Sequence, residues 1–205
     1  MKYIGILGST GSVGKQALEV VGKHPDKFKI KYLACNSNYE ELIQQIIFYK
    51  PNYISIKKID KKQKIKEFIN SKNIECEFLS VKDLINKVKV DIVLNAISGY
   101  QGLEPTIDII NTGTDIALSN KESIVQAGHI IVELAKKNSV NIFPVDSEHS
   151  AIWQCLIGEE KEHVKRIILT ASGGPFRELS KNKFSKITKE QALDHPNWSM
   201  GDKIS

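Results

Sequence analysis

Apolar positions along this chain follow two alternating rhythms. Short apolar runs recur at Tyr3–Leu7, Ile30–Ala34, Tyr53–Ile56, Cys76–Leu79, Ile92–Asn95, Asp115–Leu118 and Val140–Phe143. Runs of this length predict buried strands. Between most of them the apolar residues return every three or four positions, the period of a helix. Ser12–Lys23 carries Val13, Ala17, Leu18, Val20 and Val21 and stops before His24-Pro25, and Tyr39–Tyr49 stops near Pro51. Ser80-Val81-Lys82-Asp83 has the form of a capping box opening a helix at Leu84–Val88, and Lys121–Lys137 is a long amphipathic stretch. Alternation of β and α units on this scale predicts an α/β fold, a Rossmann-like doubly wound parallel sheet with helices on both faces.

The rhythm changes after about residue 150. Ile152–Leu156 reads as helical, Val164–Ala171 as a new apolar strand, and Thr188-Lys189-Glu190-Gln191 as the capped start of another helix ending at His195-Pro196. The expected organisation is a first domain over 1–148 and, over 149–205, the start of an α+β domain whose greater part is missing. One strand and two short helices are too little to close a core of their own.

Composition adds exclusions. The 205 residues carry 29 Lys+Arg against 24 Asp+Glu, a net charge of +5. The excess is lysine spread over predicted helix faces such as Lys57 to Lys66, which reads as solvated surface. No Arg-rich or aromatic-interleaved basic stretch points to nucleic acid. Cysteines 35, 76 and 155 are odd in number, far apart and without a C-x-x-C pair, which argues against a disulfide framework or a zinc site and fits a reducing cytoplasm. No apolar run approaches the ~20 residues of a membrane span, and the first strand starts too early to leave room for a signal peptide.

The first chemistry lies at Gly8-Ser9-Thr10-Gly11-Ser12-Val13-Gly14, between the first strand and the first helix. A nucleotide pyrophosphate binds helix N-terminal amides at this point of such folds. Gly8 permits the turn, Gly11 lets phosphate approach the backbone, and Gly14 allows close helix packing; the spacing is G-x-x-G-x-x-G rather than G-x-G-x-x-G. The end of the second strand, Cys35-Asn36-Ser37-Asn38, lacks the acid that grips a ribose 2′-hydroxyl in NAD sites, so NADP is favoured, although no Lys or Arg is there for the 2′-phosphate. Asn38 also suits a cap for the Tyr39 helix.

Further along, Ala96-Ile97-Ser98-Gly99 is placed to touch pyrophosphate or ribose. Ser119-Asn120-Lys121-Glu122-Ser123 has two readings. Ser119 and Glu122 could form a capping box, or Lys121 could face a substrate with Asn120 and Glu122 at the nicotinamide end. Pro144-Val145-Asp146-Ser147-Glu148-His149-Ser150 puts two carboxylates at alternate positions after an apolar run. On an extended backbone Asp146 and Glu148 point the same way and suit Mg²⁺ or Mn²⁺. The other reading is a pair of surface acids with Ser147 as a helix N-cap.

Together with Ser172-Gly173-Gly174-Pro175-Phe176-Arg177 and His195-Pro196-Asn197-Trp198-Ser199-Met200-Gly201, these stretches resemble, in order and over the whole chain, the 1-deoxy-D-xylulose 5-phosphate reductoisomerase family of non-mevalonate isoprenoid biosynthesis. The resemblance implies an NADPH domain followed by a catalytic domain, usually in a homodimer. It implies cofactor contacts at Thr10, Gly11, Ser12, Val13, Asn36, Ser37, Asn38, Asn120, Glu122 and Gly201, and a divalent metal at Asp146 and Glu148 with a further Glu beyond residue 205. Substrate contacts are implied at Lys121, Ser147, Glu148, Ser172 and His195, with Trp198 on a covering loop and Lys121, Asp146 and Glu148 as the catalytic groups. Ser37 stands where some members carry Lys. The implied reaction is rearrangement of 1-deoxy-D-xylulose 5-phosphate followed by NADPH reduction to 2-C-methyl-D-erythritol 4-phosphate. By this resemblance the 205 residues bind NADPH but lack part of the active site. The competing readings are another NADP-dependent reductase sharing only the first domain, and a non-catalytic NADP-binding module.

Overall fold

The structure, a computed structural model, describes residues 1–170 and 174–194. The chain forms two compact units, Met1–Glu159 and Glu160 onward.

In the first unit the strands are β1 (Lys2–Leu7), β2 (Phe28–Cys35), β3 (Tyr53–Ile56), β4 (Glu77–Phe78), β5 (Ile92–Asn95), β6 (Asp115–Leu118) and β7 (Ile142–Pro144). They form a sheet of seven strands among the described residues, in the order β4-β3-β2-β1-β5-β6-β7, and every pair is parallel. The chain winds outward from β1 to β4, then returns to the other side of β1 as β5. The reversal between β1 and β5 is the switch point at which such sheets open a ligand crevice beyond the carboxyl ends of their strands.

The helices are α1 (Ser12–Lys23), α2 (Tyr39–Tyr49), α3 (Ile59–Ser71), α4 (Val81–Lys87), α5 (Leu103–Asn111), α6 (Lys121–Lys137) and α7 (Ser147–Cys155). Neighbouring strand residues point to opposite faces, and both faces are covered. Ile6 and Leu33 pack with Leu18, Leu42, Ile46 and Ile65 of α1–α3. Leu7 and Ala34 pack with Leu84, Ile109 and Ile131 of α4–α6. A strand buried on both sides needs apolar residues at successive positions, so these strands read as unbroken apolar runs.

Local chemistry sets the ends. The Asn38 side chain accepts the Glu41 N–H at 3.1 Å and opens α2, which closes on left-handed Lys50 (φ 46°) just before Pro51. Ser80 opens α4 by accepting the Asp83 N–H at 3.0 Å. Helix α6 departs from helical geometry at Ala127.

Tyr32 is fully buried beside Gly5, where an added Cβ would lie 2.1 Å from the Tyr32 ring. Neither β-strand backbone nor a buried ring yields easily. Gly5→Ala is therefore expected to lower stability by about 1–3 kcal/mol, read as a lower urea midpoint at unchanged slope.

Several expectations shift. The strand expected at Cys76–Leu79 shrinks to two residues at the sheet edge, and the one at Val140–Phe143 moves to Ile142–Pro144. Pro144 is tolerated there because β7 is also an edge strand. The helix expected at Ile152–Leu156 begins five residues earlier, at Ser147.

The second unit holds, among its described residues, 3₁₀ segments at Lys161–His163 and Lys181–Lys186 and the short helix α8 (Lys189–Leu193). The expected capping box is present: Gln191 N–H donates to Thr188 Oγ1 at 3.3 Å and Thr188 N–H to Gln191 Oε1 at 3.0 Å. The strand expected at Val164–Ala171 is not formed over 164–170, and Ala171 lies outside the described residues. Ile167, Ile168 and Leu169 are 57–69% exposed. An apolar run becomes a strand only against a partner strand, and among the described residues none pairs with it.

Among the described residues no helix is long and apolar enough to cross a membrane.

Candidate active site

The chain segments that leave the sheet at its carboxyl edge continue the strand ladder by a residue or two. Gly8 and Ser9 N–H donate to Ala34 O, Lys57 N–H to Cys35 O, Ala96 N–H to Leu7 O, Ser119 N–H to Asn95 O and Val145 N–H to Leu118 O, all at 2.8–3.1 Å. This edge gathers the glycine loop, the Asn36–Asn38 loop, the Ala96–Gly99 loop, Asn120–Glu122 and Asp146–Glu148.

The glycine loop is built by close contact. Gly8 has φ +84°, and a Cβ there would meet Ala96 O at 2.5 Å; one at Gly14 would meet Gly8 O at 2.3 Å. Gly14 therefore lets α1 press on the loop itself. Gly11 differs: its φ is −79°, and a Cβ would find only Gly8 O, at 3.4 Å. Thr10 is half-buried, while Gly11 and Ser12 are exposed and Val13 partly so. Gly11 provides no side-chain cap and the first turn of α1 holds no acid, so the positive end of the helix faces outward without a negative side chain. A loop whose backbone is open at Gly11, at a bare helix N-terminus, fits a pyrophosphate.

Beside it, Asn36 O accepts from Lys58 N–H and Ser37 O from Tyr39 N–H. Burial pushes the Cys35 thiol up to about 12, against a hydrogen bond with Thr10 that acts the other way, so it stays a neutral packing group.

Asn120 is 1% exposed. Its amide donates to Ile97 O at 2.6 Å, to Gly99 O at 2.8 Å and to Glu122 Oε2 at 3.2 Å. Its Oδ1 accepts from the N–H and the hydroxyl of Ser123. Asn120 is thus the N-cap of α6, and the capping box expected from Ser119 and Glu122 is replaced by Asn120 and Ser123. The same side chain ties the Ala96–Gly99 loop to the start of α6. Gly102 makes room for it, since a Cβ there would lie 2.5 Å from Asn120 Cγ. Buried Asn95 supports the loop from beneath, donating to Gly102 O at 3.0 Å and Thr106 Oγ1 at 2.9 Å. Sequence reasoning missed Asn95, Thr106 and Gly102, because nothing in their spacing marks a network that closes only in three dimensions.

Lys121, one residue into α6, donates to Asp146 Oδ2 at 3.2 Å. His149 Nδ1 lies 3.2 Å from the other carboxylate oxygen, Oδ1. Asp146 is the N-cap position of α7, without a side-chain cap bond, so Ser147 is the first helical residue rather than the cap. The extended backbone expected through Glu148 ends at Asp146; Glu148 lies in the first turn of α7. Glu148 remains near enough to Asp146 to act on its ionisation. Burial tends to raise the Asp146 pKa, but its polar neighbours Glu148, Lys121 and His149 outweigh it and hold the carboxyl below the usual range. The hydrogen bond to Asp146 in turn holds the Lys121 ammonium above the ordinary lysine value. A depressed acid contributes stability above its ordinary pKa and loses it as pH falls through the depressed value. A raised base contributes below its ordinary pKa and loses it as pH climbs through the raised one. The Lys121–Asp146 pair is therefore intact across the whole neutral range.

Lys121, Asp146 and His149 line a cleft of about 390 Å³. They supply its polar side, and Leu118, Ile124, Ile142, Ile152, Trp153 and Leu156 are among its apolar walls. A mostly apolar hollow with a few convergent polar groups is the usual form of a small-molecule site. Among the described residues no three His, Cys, Asp or Glu side chains group as a metal cage. Two adjacent carboxylates with solvent on one side suit Mg²⁺ or Mn²⁺, which keep several positions for water or substrate oxygen. Ser172, His195 and Gly201, with Trp198, lie outside the described residues.

Fold and loop geometry define a Rossmann-type α/β protein with an open glycine loop at a helix N-terminus and a second, acidic cluster on the same sheet edge. Residues 4–128 match the family model described as 1-deoxy-D-xylulose 5-phosphate reductoisomerase, and residues 142–205 match that of its C-terminal domain. The chain belongs to the 1-deoxy-D-xylulose 5-phosphate reductoisomerase family. It is 46% identical over 209 residues to the reductoisomerase of Clostridium tetani and 42% identical over 210 residues to that of Pelotomaculum thermopropionicum, each match covering 100% of this chain and 54% of the relative. The chain thus spans about half the length of the curated relatives it matches. A crystal structure of DOX-P reductoisomerase in complex with NADPH, fosmidomycin and magnesium superimposes with a TM-score of 0.87 at 32% identity, covering 98% of this chain and 52% of that one. The enzyme from Zymomonas mobilis in complex with NADPH gives 0.85 at 32% identity, covering 95% and 52%.

Proposed function

We propose that these 205 residues are the NADPH-binding part and the opening of the catalytic part of a reductoisomerase that converts 1-deoxy-D-xylulose 5-phosphate to 2-C-methyl-D-erythritol 4-phosphate. The observation that carries this is the placement of an open glycine loop and a Lys121–Asp146–Glu148 cluster on one sheet edge. The family supports the substrate, and relatives solved with NADPH and magnesium support the cofactors. Residues 1–148 are the cofactor domain in this proposal and 149–205 the beginning of the catalytic one; the protein works in the cytoplasm as a homodimer.

The backbone at Gly11, Ser12 and Val13, with the Thr10 hydroxyl, holds the pyrophosphate, and Asn36, Ser37 and Asn38 face the adenosine ribose. Asn120 acts by fixing the loop at Ile97–Gly99 and the start of α6, with Glu122 beside it, where the nicotinamide arrives. Asp146 and Glu148 hold the divalent ion, Lys121 keeps Asp146 ionised and presents its ammonium to substrate oxygen, and Ser147 adds a hydroxyl. Ser172 and His195 contact the substrate, and Gly201 the cofactor. When bound, the ion supplies Lewis-acid polarisation of the substrate oxygens and NADPH the hydride.

A chain of the relatives' full length carrying these residues is expected to oxidise NADPH only when 1-deoxy-D-xylulose 5-phosphate and Mn²⁺ or Mg²⁺ are both present. Residues 1–205 alone are expected to bind NADPH without turnover, because two carboxylates and an open cleft position the substrate poorly. Oxidation of NADPH independent of divalent ions would instead favour a simple reductase. Ser37→Asp is expected to weaken NADPH by roughly 1–3 kcal/mol through repulsion of the 2′-phosphate and loss of a donor, measured by nucleotide fluorescence.

A further inference from the structure

The Asn36–Asn38 loop offers a 2′-phosphate only neutral donors, which leaves NADPH preference without a cation to set it. The fold supplies two from another strand. Beyond β3 the ladder with β2 continues: Lys57 N–H donates to Cys35 O at 3.1 Å and Lys58 N–H to Asn36 O at 3.0 Å. Both lysines are thereby seated alongside the loop, and both are exposed. The Lys57 ammonium is held at the carboxyl edge by Gln101 Oε1, 2.8 Å away. Its partner is neutral, so its charge is not cancelled. The Lys58 side chain has no ion-pair partner among the described residues, and neighbouring Asp60 pairs with Lys61 at 3.4 Å. Asn36 and Ser37 make no side-chain hydrogen bond to the described residues, and their polar groups remain open to a ligand.

We propose that Lys57 and Lys58 complete the 2′-phosphate site and set the preference of this chain for NADPH over NADH. This rests on the reading of the glycine loop as a dinucleotide site. A phosphate dianion between two ammonium groups and neutral donors gains charge-assisted hydrogen bonds that a 2′-hydroxyl cannot match. The sequence hid the pair because Lys57 and Lys58 lie about twenty residues past Ser37 and open a lysine-rich stretch that resembles solvated helix surface.

The test is equilibrium titration of NADPH and NADH into the chain and into its Lys57→Gln/Lys58→Gln double variant. The double variant is expected to bind NADPH about 10- to 100-fold more weakly and NADH within about twofold, the NADH value also showing that the fold is intact. In the unmodified chain, added salt is expected to weaken NADPH more than NADH. An unchanged NADPH-to-NADH ratio in the double variant, or an equal salt response of the two nucleotides, overturns the inference and leaves the dinucleotide site standing. Absence of binding of either nucleotide to the unmodified chain overturns both.

Discussion

In a chain of the relatives' full length, Asp146→Asn and Glu148→Gln are each expected to reduce turnover by roughly a thousandfold, with NADPH affinity staying within about threefold. Each change keeps the shape of the side chain and removes its negative charge. Asp146 is the better placed of the two. Its carboxylate is 16% exposed, lies between Lys121 and His149, and stays ionised well into acid. An amide there still occupies the space but offers one neutral oxygen to a cation and leaves the Lys121 ammonium without its counter-charge. Glu148 is more exposed, so its loss is expected to act almost wholly on the metal and little on the fold. Metal titration followed by Mn²⁺ electron paramagnetic resonance separates the two steps: affinity is expected to fall with turnover. Near-normal activity in either variant would make these carboxylates structural.

The second large effect is at the glycine loop, where two substitutions of the same size are expected to behave differently. Gly11→Ala fits the protein, because φ is −79° and the new methyl has only Gly8 O within 4 Å, at 3.4 Å. It is expected to leave stability unchanged or raise it by about 0.4–1 kcal/mol through the unfolded chain. The same methyl stands where phosphate must approach the backbone, and NADPH affinity is expected to fall about 10- to 100-fold. Gly14→Ala puts its methyl 2.3 Å from Gly8 O and 2.7 Å from Ser9 Cα. Backbone must move there, and both stability and NADPH binding are expected to drop. Urea titration alongside nucleotide fluorescence distinguishes the pair. Loss of NADPH binding in Gly14→Ala but not in Gly11→Ala would mean that the loop matters only as a turn.

Much of the first unit was legible because its signals are local. The limits of α1, α2 and α6 agree with the stretches read from periodicity, and Asn38, Ser80 and Thr188 cap as their spacing suggests. The glycine loop and the Asp146–Glu148 pair could be picked out because each lies within seven consecutive residues. What escaped depends on partners distant in sequence. The run at Val164–Thr170 is apolar enough for a strand but pairs with none among the described residues. Ser119 looked like a cap until Asn120, whose amide reaches back to Ile97 and Gly99, took the role. Asp146 and Glu148 were expected on one extended segment, yet the extended backbone ends at Asp146 and Glu148 lies in the first turn of α7. Lys57 and Lys58 are surface lysines as read, but the β2–β3 ladder that seats their backbone beside Cys35 and Asn36 joins segments about twenty residues apart.

Hydrogen–deuterium exchange of the 205-residue chain with and without NADPH reads the seat of the cofactor directly. Protection is expected at the amides of residues 8–14, 36–38, 57–58, 96–99 and 120–122, all at the carboxyl edge of the sheet. The opposite edge, at 24–27, 89–91 and 112–114, is expected to exchange as before. Protection confined to that opposite edge, or no change on adding saturating NADPH, would contradict a cofactor site built on the carboxyl ends of these strands.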